Sequence, residues 1–240
     1  MPEPYANGSQ QSPIKIDVST TVPVVYPLDY LVVDYPNAEL AGHLSHDNDN
    51  FYFDVPPTIQ FNGVTAPLER IHIHHKSEHS LVIGGQEVFY DYEIHFVHPL
   101  PNPVDPTSET GPSTNVVFGV FFKISANATT PKSIRSLNEA VRARLDSNKL
   151  RLTKNDPPVT ANINPLDFMP KNRSQFFRYE GSLTTPYKDQ TPNPERVSWF
   201  VYPHLIEVAQ TDVEFLVANT NETARCTQPL NRRFVLRNFS

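Results

Sequence analysis

Two stretches of the sequence place histidines in alternation with apolar residues: Arg70–His75 reads RIHIHH, and residues 92–98 read YEIHFVH. Alternation with a period of two is typical of a β-strand, whose successive side chains point to opposite faces. His72 and His74 therefore share one face of the first strand. If the second strand pairs with it in antiparallel orientation, His95 completes a cluster of three imidazoles. Such a cluster with an open fourth position suits catalytic zinc, although histidines that are exposed or hydrogen-bonded within strands fit the same pattern.

The rest of the chain also favours strands over helices. Twenty-four prolines against eight glycines exclude long uninterrupted helices. One amphipathic helix is predicted after Pro131, because Ile134, Leu137, Val141 and Leu145 fall on one face, and we expect it to cover a sheet. Clusters of Pro, Asn, Asp and Gly separate the predicted strands. These lie at residues 52–55, Thr58–Phe61, 68–75, 88–98, Asn115–Ile124, 197–201 and 213–216.

Length and charge limit the classes of function. The chain has 240 residues, of which 38% are hydrophobic, and no internal repeat or long low-complexity linker, so residues 1–240 are predicted to form a single domain. The net charge of −6 provides no electrostatic footprint for nucleic acid. A run of about 18 apolar residues, which a membrane span requires, is absent from the sequence. We therefore expect a small or neutral ligand as the partner.

Cellular location is addressed by three features. The sequence starts without the basic and apolar regions of a signal peptide, so we expect a cytosolic protein or a mature form whose leader was removed. The single cysteine, Cys226, excludes an internal disulfide; we expect a buried free thiol, with a disulfide between two chains as the alternative. Sequons favour a secreted, periplasmic or extracellular glycoprotein, with a cytoplasmic location as the alternative. They lie at Asn7, Asn127, Asn172, Asn221 and Asn238.

Motifs beyond the histidines extend the pattern over residues 10–233. They are QSPI at 11–14, SEH at 77–79, EIHFVH at 93–98, GSLTTP at 181–186, Trp199, and QPLN at 228–231 followed by Arg233. Together they resemble the α-class carbonic anhydrases, in the compact spacing of bacterial and plant members. The resemblance implies a mainly β (α+β) fold: a large, mostly antiparallel central sheet with short peripheral helices, and zinc at the floor of a conical cleft.

The same resemblance implies a chemistry and the residues that perform it. His72, His74 and His95 would hold Zn²⁺, and the reaction would be the reversible hydration of carbon dioxide to bicarbonate and a proton. Thr184 would accept the hydrogen of zinc-bound hydroxide and donate its own hydrogen to Glu78, which orients the nucleophile.

The resemblance also implies the substrate wall. Thr185 would line the site beside the threonine loop and help to hold bicarbonate. The apolar wall where carbon dioxide lies would consist of Val97, Val117, Leu183 and Trp199.

A supporting layer of polar residues is implied as well. Glu93 would accept the ring N–H of His95 and so fix its tautomer. Tyr179 and Ser12 match positions of a supporting hydrogen-bond network. Arg70 stands where the family usually has glutamine; because a guanidinium cannot accept the imidazole N–H, His72 is expected to rely on water or a backbone carbonyl.

Proton export is where the sequence departs most from the family. Phe51 aligns with the family's proton-shuttle histidine and carries no proton. His43 and His46, a few residues upstream, are the candidate replacements, and two surface histidines are the alternative interpretation. Insertions at 81–86 and 188–195 are predicted to border the cleft or a homodimer interface.

Two other functions stay open at this point. One is a catalytically weak or silent carbonic-anhydrase-like binding or structural glycoprotein, although such modules usually lose a histidine ligand. The other is a zinc esterase or hydrolase that uses the same hydroxide.

Overall fold

The computed structural model describes residues 10–45, 50–101, 114–145, 152–153, 155–185, 197–220 and 224–240. Within these ranges the chain forms short strands, two α-helices and three single-turn 3₁₀ helices. The strands are β1 Lys15–Asp17, β2 Val22–Pro23, β3 Leu31–Asp34, β4 Leu40–Leu44, β5 Asn50–Phe53, β6 Thr58–Phe61, β7 Val64–Pro67, β8 Arg70–His75, β9 Ser80–Ile83, β10 Gln86–Val88, β11 Tyr92–Pro99, β12 Asn115–Ile124, β13 Thr160–Ile163, β14 Phe177–Gly181, β15 Val197–Val208 and β16 Leu236–Arg237. The helices are α1 Lys132–Arg144 and α2 Glu214–Ala218, and the 3₁₀ turns are Val18–Thr20, Pro165–Phe168 and Gln210–Asp212.

A ten-stranded sheet dominates the structure, in the order β13-β4-β5-β8-β11-β12-β15-β14-β16-β2. In the part of the chain that is described, the pairs β12–β15 and β16–β2 are parallel and the other neighbours are antiparallel. Two separate three-stranded sheets have the orders β1-β9-β10 and β3-β6-β7. The predicted large, mostly antiparallel central sheet is confirmed.

The two faces of the central sheet belong to different hydrophobic clusters. On one face, alternate residues such as Ile73 and Phe96 join the larger cluster, which α1 covers with Ile134, Leu137 and Val141. The other face carries a smaller apolar cluster beside the histidines. Burying each large side chain contributes about 1.5–3 kcal/mol. Because β11 is buried on both faces, its position in the sheet is strongly determined.

Most predicted elements are confirmed, with altered bounds. The helix after Pro131 forms, and Arg142 and Arg144 in its last turn complement the helix dipole. The run at 88–98 divides into β10 and β11, and the strand beginning at Val197 continues to Val208. The insertion at 81–86 turns between β9 and β10 through Gly84, whose φ of 59° suits glycine.

The strand predicted at 213–216 is wrong, because this segment begins helix α2. Val213, Leu216 and Val217 are buried, and their i, i+3, i+4 spacing is helical. The Asn138 side chain of α1 accepts the backbone N–H groups of Phe215 and Leu216, both at 2.9 Å, and thereby caps the helix start. Four residues are too few to distinguish the period of a strand, two residues, from the period of a helix, about 3.6 residues. The capping residue also comes from a distant part of the chain.

Two further observations concern the predictions on location. Cys226 is exposed, so the expectation of a buried thiol is wrong. Among the described residues, no helix combines the length and apolarity that crossing a bilayer demands.

Candidate metal centre

Strand register brings the three predicted ligand histidines together. His72 on β8 lies directly opposite His95 on β11, and His74 lies opposite Glu93. Directly opposite residues of an antiparallel pair share a face, so all these side chains point to the same side of the sheet. The ring centroids of His72, His74 and His95 are 4.5–5.2 Å apart, and one nitrogen from each ring lies within 4.8 Å of the others.

The cluster is shielded from solvent. His72 is 8% exposed, His74 0% and His95 1%. Burial, together with the neighbouring imidazoles of His74 and His95, holds the pKa of His72 well below its usual range. Neutral imidazole is the form that binds a metal ion. The three rings thus present a donor set that suits zinc.

Glu93 anchors one of the three rings. Among the described residues, four N–H groups donate to its carboxylate: the amides of Glu78 and His79 at 2.9 and 2.8 Å, His79 Nδ1 at 2.7 Å and His95 Nε2 at 2.9 Å. Burial alone would raise the pKa of Glu93, but the charge and hydrogen bonds of His79 and His95 hold it well below its usual range. A carboxylate accepts only, so His95 carries its proton on Nε2 and leaves the Nδ1 lone pair available.

A glycine makes room for this carboxylate. Gly119 on β12 lies beside His95, and a Cβ there would be 2.6 Å from Glu93 Oε1. Glycine is otherwise unfavourable in the interior of a strand. Sequence reasoning did not single out Gly119, although a glycine within an apolar strand run is a recognisable signal of close approach.

Glu78 lies on the other side of the rings and is fully buried. Its Oε2 is 3.5 Å from His74 Nε2 and 3.8 Å from His95 Nδ1. The Thr184 side chain hydrogen-bonds this carboxylate, and the backbone N–H of Arg225 donates to Oε1 at 2.8 Å. Burial raises the pKa of Glu78 to about 7, against the opposing effect of these two hydrogen bonds. The structure thus brings Thr184 and Glu78 together beside the histidines.

A buried polar network supports the threonine loop. Tyr179 Oη lies 2.7 Å from His79 Nε2 and 2.9 Å from Ser12 Oγ. Ser12 and Ser182 exchange two hydrogen bonds, from each backbone N–H to the other's Oγ, at 2.9 and 3.0 Å. A Cβ on Gly181 would lie 2.1 Å from Ser12 Oγ. Ser12 and Tyr179 therefore lie between the Glu93 side of the site and the loop that carries Thr184.

The predicted apolar wall forms one row across three strands. Val97 lies opposite Val117, which lies opposite Trp199. All three are buried, and the indole N–H of Trp199 donates to the carbonyl of Ser182 at 2.9 Å. Leu183 packs against the same cluster.

Two predicted site residues lie at the margin. Thr185 is half-buried and follows Thr184 in the loop. The Arg70 guanidinium pairs with Glu69, and none of the residues described hydrogen-bonds the buried Nδ1 of His72. Arg70 thus makes no hydrogen bond to His72 Nδ1, although its charge contributes to the lowered pKa of that ring.

The candidate shuttle residues lie farther away. His43 on β4 is opposite Tyr52, and Asn50 on the same strand as Tyr52 is opposite His72, so His43 shares the histidine face. Its Nδ1 is 3.6 Å from Asp54 Oδ1. His46 lies outside the described residues, as does the insertion at 188–195.

Phe51 does not lie on this face. It is opposite Ile71 and buried in the larger core cluster. The neighbouring Asn50 lies opposite His72 on the histidine face.

The structure therefore presents, on a large mixed sheet, three buried imidazoles that could bind a metal ion, beside a hydroxyl–carboxylate pair. The family model for eukaryotic-type carbonic anhydrase matches residues 2–239. The chain belongs to this α carbonic anhydrase family, whose members hydrate carbon dioxide reversibly and use zinc.

Relatives agree with this assignment over almost the whole chain. Alpha carbonic anhydrase 7 of Arabidopsis thaliana is 29% identical over 97% of this chain and 76% of its own length, and a Nostoc carbonic anhydrase is 28% identical over 95% and 76%. The solved α-carbonic anhydrase of Photobacterium profundum has a TM-score of 0.68 at 27% identity, covering 96% of this chain and 90% of that one. The enzyme from Thermovibrio ammonificans, solved with the inhibitor sulfanilamide, also has a TM-score of 0.68, at 26% identity, with coverages of 95% and 87%.

Proposed function

We propose that His72, His74 and His95 hold the zinc ion of this carbonic anhydrase and that Thr184 and Glu78 orient its nucleophile. The observation that carries the proposal is the convergence of three buried rings beside a hydroxyl–carboxylate pair. Zinc held there would supply hydroxide near neutral pH by lowering the pKa of bound water, for which carbonic anhydrase is the type case.

The donor set supports zinc rather than magnesium or calcium, because all three atoms are imidazole nitrogens and the hard cations prefer oxygen. Glu93 fixes the tautomer of His95 in the direction that leaves Nδ1 free. Three ring nitrogens would supply three ligands to a tetrahedral zinc ion and would leave its fourth position for solvent.

Thr184 and Glu78 act as a directional pair. The Thr184 hydroxyl has one hydrogen, and it is used in the bond to the Glu78 carboxylate. Thr184 Oγ1 can then only accept a hydrogen bond from the nucleophile. This turns the nucleophile's lone pair away from Thr184 and towards the substrate.

The row of Val97, Val117 and Trp199, with Leu183 beside it, suits carbon dioxide. That substrate has no net charge and only weak hydrogen-bond acceptors. It therefore loses few hydrogen bonds to water when it binds to an apolar surface. The polar edge at Thr185 would hold the charged product, bicarbonate. Separate surfaces for substrate and product fit a reaction that runs in both directions.

Hydration releases a proton that must leave the site. His43 is the described candidate for receiving it, since it shares the histidine face and is partly exposed beside Asp54. Two strand spacings and two residue rises separate His43 from His72, which places their Cα atoms roughly 12 Å apart. Transfer over that distance requires intervening water.

The test combines zinc content with stopped-flow hydration of carbon dioxide. We expect the zinc-loaded chain to be active, sensitive to chelators and stimulated by imidazole buffer. His95→Ala should lose stoichiometric zinc and reduce hydration to the buffer rate. His75→Ala, the matched control, changes an exposed histidine of β8, the strand of His72 and His74, whose side chain points to the other face.

Two results would overturn parts of the proposal. Full zinc content in His95→Ala would contradict the ligand set. An inactive zinc-loaded wild type would favour the catalytically silent binding module, which no observation in the described site favours now.

A further inference from the structure

The C-terminal segment reaches the buried carboxylate of Glu78. The backbone N–H of Arg225 donates to Glu78 Oε1 at 2.8 Å, across 147 residues of sequence. Arg225 is partly buried and contacts neither the histidines nor the apolar wall through any bond in the described structure. Its amide therefore acts on the site through Glu78.

The side chain of Arg225 fastens that amide in place. Its Nη1 donates to the Ser12 carbonyl at 2.7 Å, and its Nη2 donates to Gln11 Oε1 at 3.1 Å. A charged donor that makes two bonds is a stronger anchor than a single neutral hydrogen bond. Gln228, three residues on, adds a backbone bond to the Pro13 carbonyl at 2.7 Å. One arginine thus ties the segment with the QSPI motif to the carboxylate.

We propose that Arg225 is a positioning residue for Glu78, with its amide holding Oε1 and its guanidinium holding the amide in place. The inference rests on the proposed function, since it deepens the role of the Thr184–Glu78 pair.

The physical basis is the freedom of a terminal carboxylate. The last torsion of a glutamate side chain has a broad energy well, so neither oxygen orientation is favoured intrinsically. A fixed donor at Oε1 removes that freedom and keeps Oε2 near His74 Nε2 and His95 Nδ1. Thr184 then meets a carboxylate of defined orientation. Without the Arg225 amide, the Glu78 carboxylate could rotate, and the hydrogen bond from Thr184 would no longer have one fixed direction.

The experiment uses the full chain and three substitutions at position 225 or its target: Arg225→Ala, Arg225→Lys and Glu78→Gln. Arg237→Ala is the matched control, because Arg237 Nη1 also clamps the N-terminal segment, at the Val18 carbonyl and Thr21 Oγ1. Zinc content, kcat/KM for hydration, and hydrogen exchange of the residue-225 amide by NMR are measured for each protein.

We expect Arg225→Ala to retain zinc, to lose on the order of 10-fold in kcat/KM, and to exchange its residue-225 amide faster. Arg225→Lys should recover part of both effects, because one ammonium can still bond the Ser12 carbonyl. Glu78→Gln should change the amide exchange less than Arg225→Ala does, because the glutamine carbonyl can still accept the N–H of residue 225. Adding Arg225→Ala to Glu78→Gln should change kcat/KM little further, since both act through one group.

If Arg225→Ala lowers kcat/KM by the same factor in the wild type and in Glu78→Gln, the positioning role is refuted. It is also refuted if Arg237→Ala lowers kcat/KM as much as Arg225→Ala does. Unchanged exchange of the residue-225 amide in Arg225→Ala would refute the anchoring of that amide by the guanidinium. An inactive wild-type zinc protein would instead refute the proposed function, so the two failures are distinguishable.

Discussion

Strand β11 carries one histidine on each face, and the two are bonded in opposite ways. His95 donates from Nε2 to Glu93 and directs Nδ1 at His74 and Glu78. His98, three residues on, uses both nitrogens within the protein: Nδ1 lies 3.1 Å from the Val116 carbonyl, and Nε2 lies 2.5 Å from the Tyr35 hydroxyl. A histidine with one anchored nitrogen can bind a metal, whereas one with both nitrogens occupied is structural.

The environment of each face enforces this difference. Burial lowers the pKa of His98 to about 3, so the ring stays neutral and accepts from Tyr35. On the other face, the Glu93 carboxylate supplies a fixed negative charge and the glycine at 119 supplies the space for it. The same residue type on the same strand thus has two roles, because its neighbours differ.

The largest expected effect is the loss of folding stability at low pH through His98, the histidine of β11 that faces the core. His98 has a pKa near 6.5 when unfolded and about 3 when folded. As the pH falls, the unfolded chain binds the proton first, so stability from this group is lost between about pH 6.5 and pH 3. From pH 7 to pH 4 the metal-free protein should lose about 3 kcal/mol through His98.

Denaturant unfolding against pH measures this loss. The comparison protein is His98→Phe combined with Tyr35→Phe, which leaves no tyrosine hydroxyl unpaired, and its free energy of unfolding should fall less steeply over the same range. Parallel curves for the two proteins would show that His98 is not the acid-sensitive group.

The next effect is a loss of zinc affinity when Glu93, which accepts the His95 Nε2–H, is replaced. Glu93→Gln places an amide NH₂ group against the N–H groups of His95 and His79, so the His95 tautomer is no longer fixed. We expect zinc affinity to fall about 10–100-fold, measured by competition with a chromophoric chelator. Glu87→Gln, which changes a carboxylate of the β9–β10 hairpin bonded to Ser80, is the control. Equal affinities for Glu93→Gln and the wild type would contradict the anchoring role.

A smaller effect is expected from Gly119→Ala. The added Cβ would lie 2.6 Å from Glu93 Oε1, so the carboxylate must shift away from His95. We expect zinc affinity to fall about 10-fold, at the lower end of such supporting effects. The double substitution with Glu93→Gln should bind zinc about as weakly as Glu93→Gln alone, because the two changes share one cause. Additive losses would indicate damage elsewhere in β12.

The smallest effect is expected from His43→Ala. If His43 passes protons to solvent, the substitution should lower kcat a few-fold in dilute buffer and leave kcat/KM unchanged, because proton export follows the chemical step. Imidazole buffer should restore kcat, as measured by stopped-flow hydration. A loss that persists at high imidazole concentration would argue against this role.

Much of the site could be predicted because its signals are local. The period-two pattern around His72, His74 and His95 needs only the geometry of a strand, whereas Glu78 and Thr184 were implied by the resemblance of the motifs at 77–79 and 181–186 to the family. The helix prediction after Pro131 succeeded for the same reason, since thirteen residues are enough to show a helical period. At 213–216, four residues were too few to distinguish a helical period from a strand period. The sequence also contained no sign that Asn138 would cap this segment as a helix.

The sequence by itself determined which residues have the chemistry for a metal site and on which face of each strand they lie, because alternation is a property of the backbone. Only the tertiary structure decided the partners: Gly119 beside Glu93, Asn50 beside His72, and the Arg225 amide at Glu78. Those contacts depend on strand register and on segments far apart in the chain. A backbone N–H leaves no trace in residue type, so no sequence pattern could have identified it.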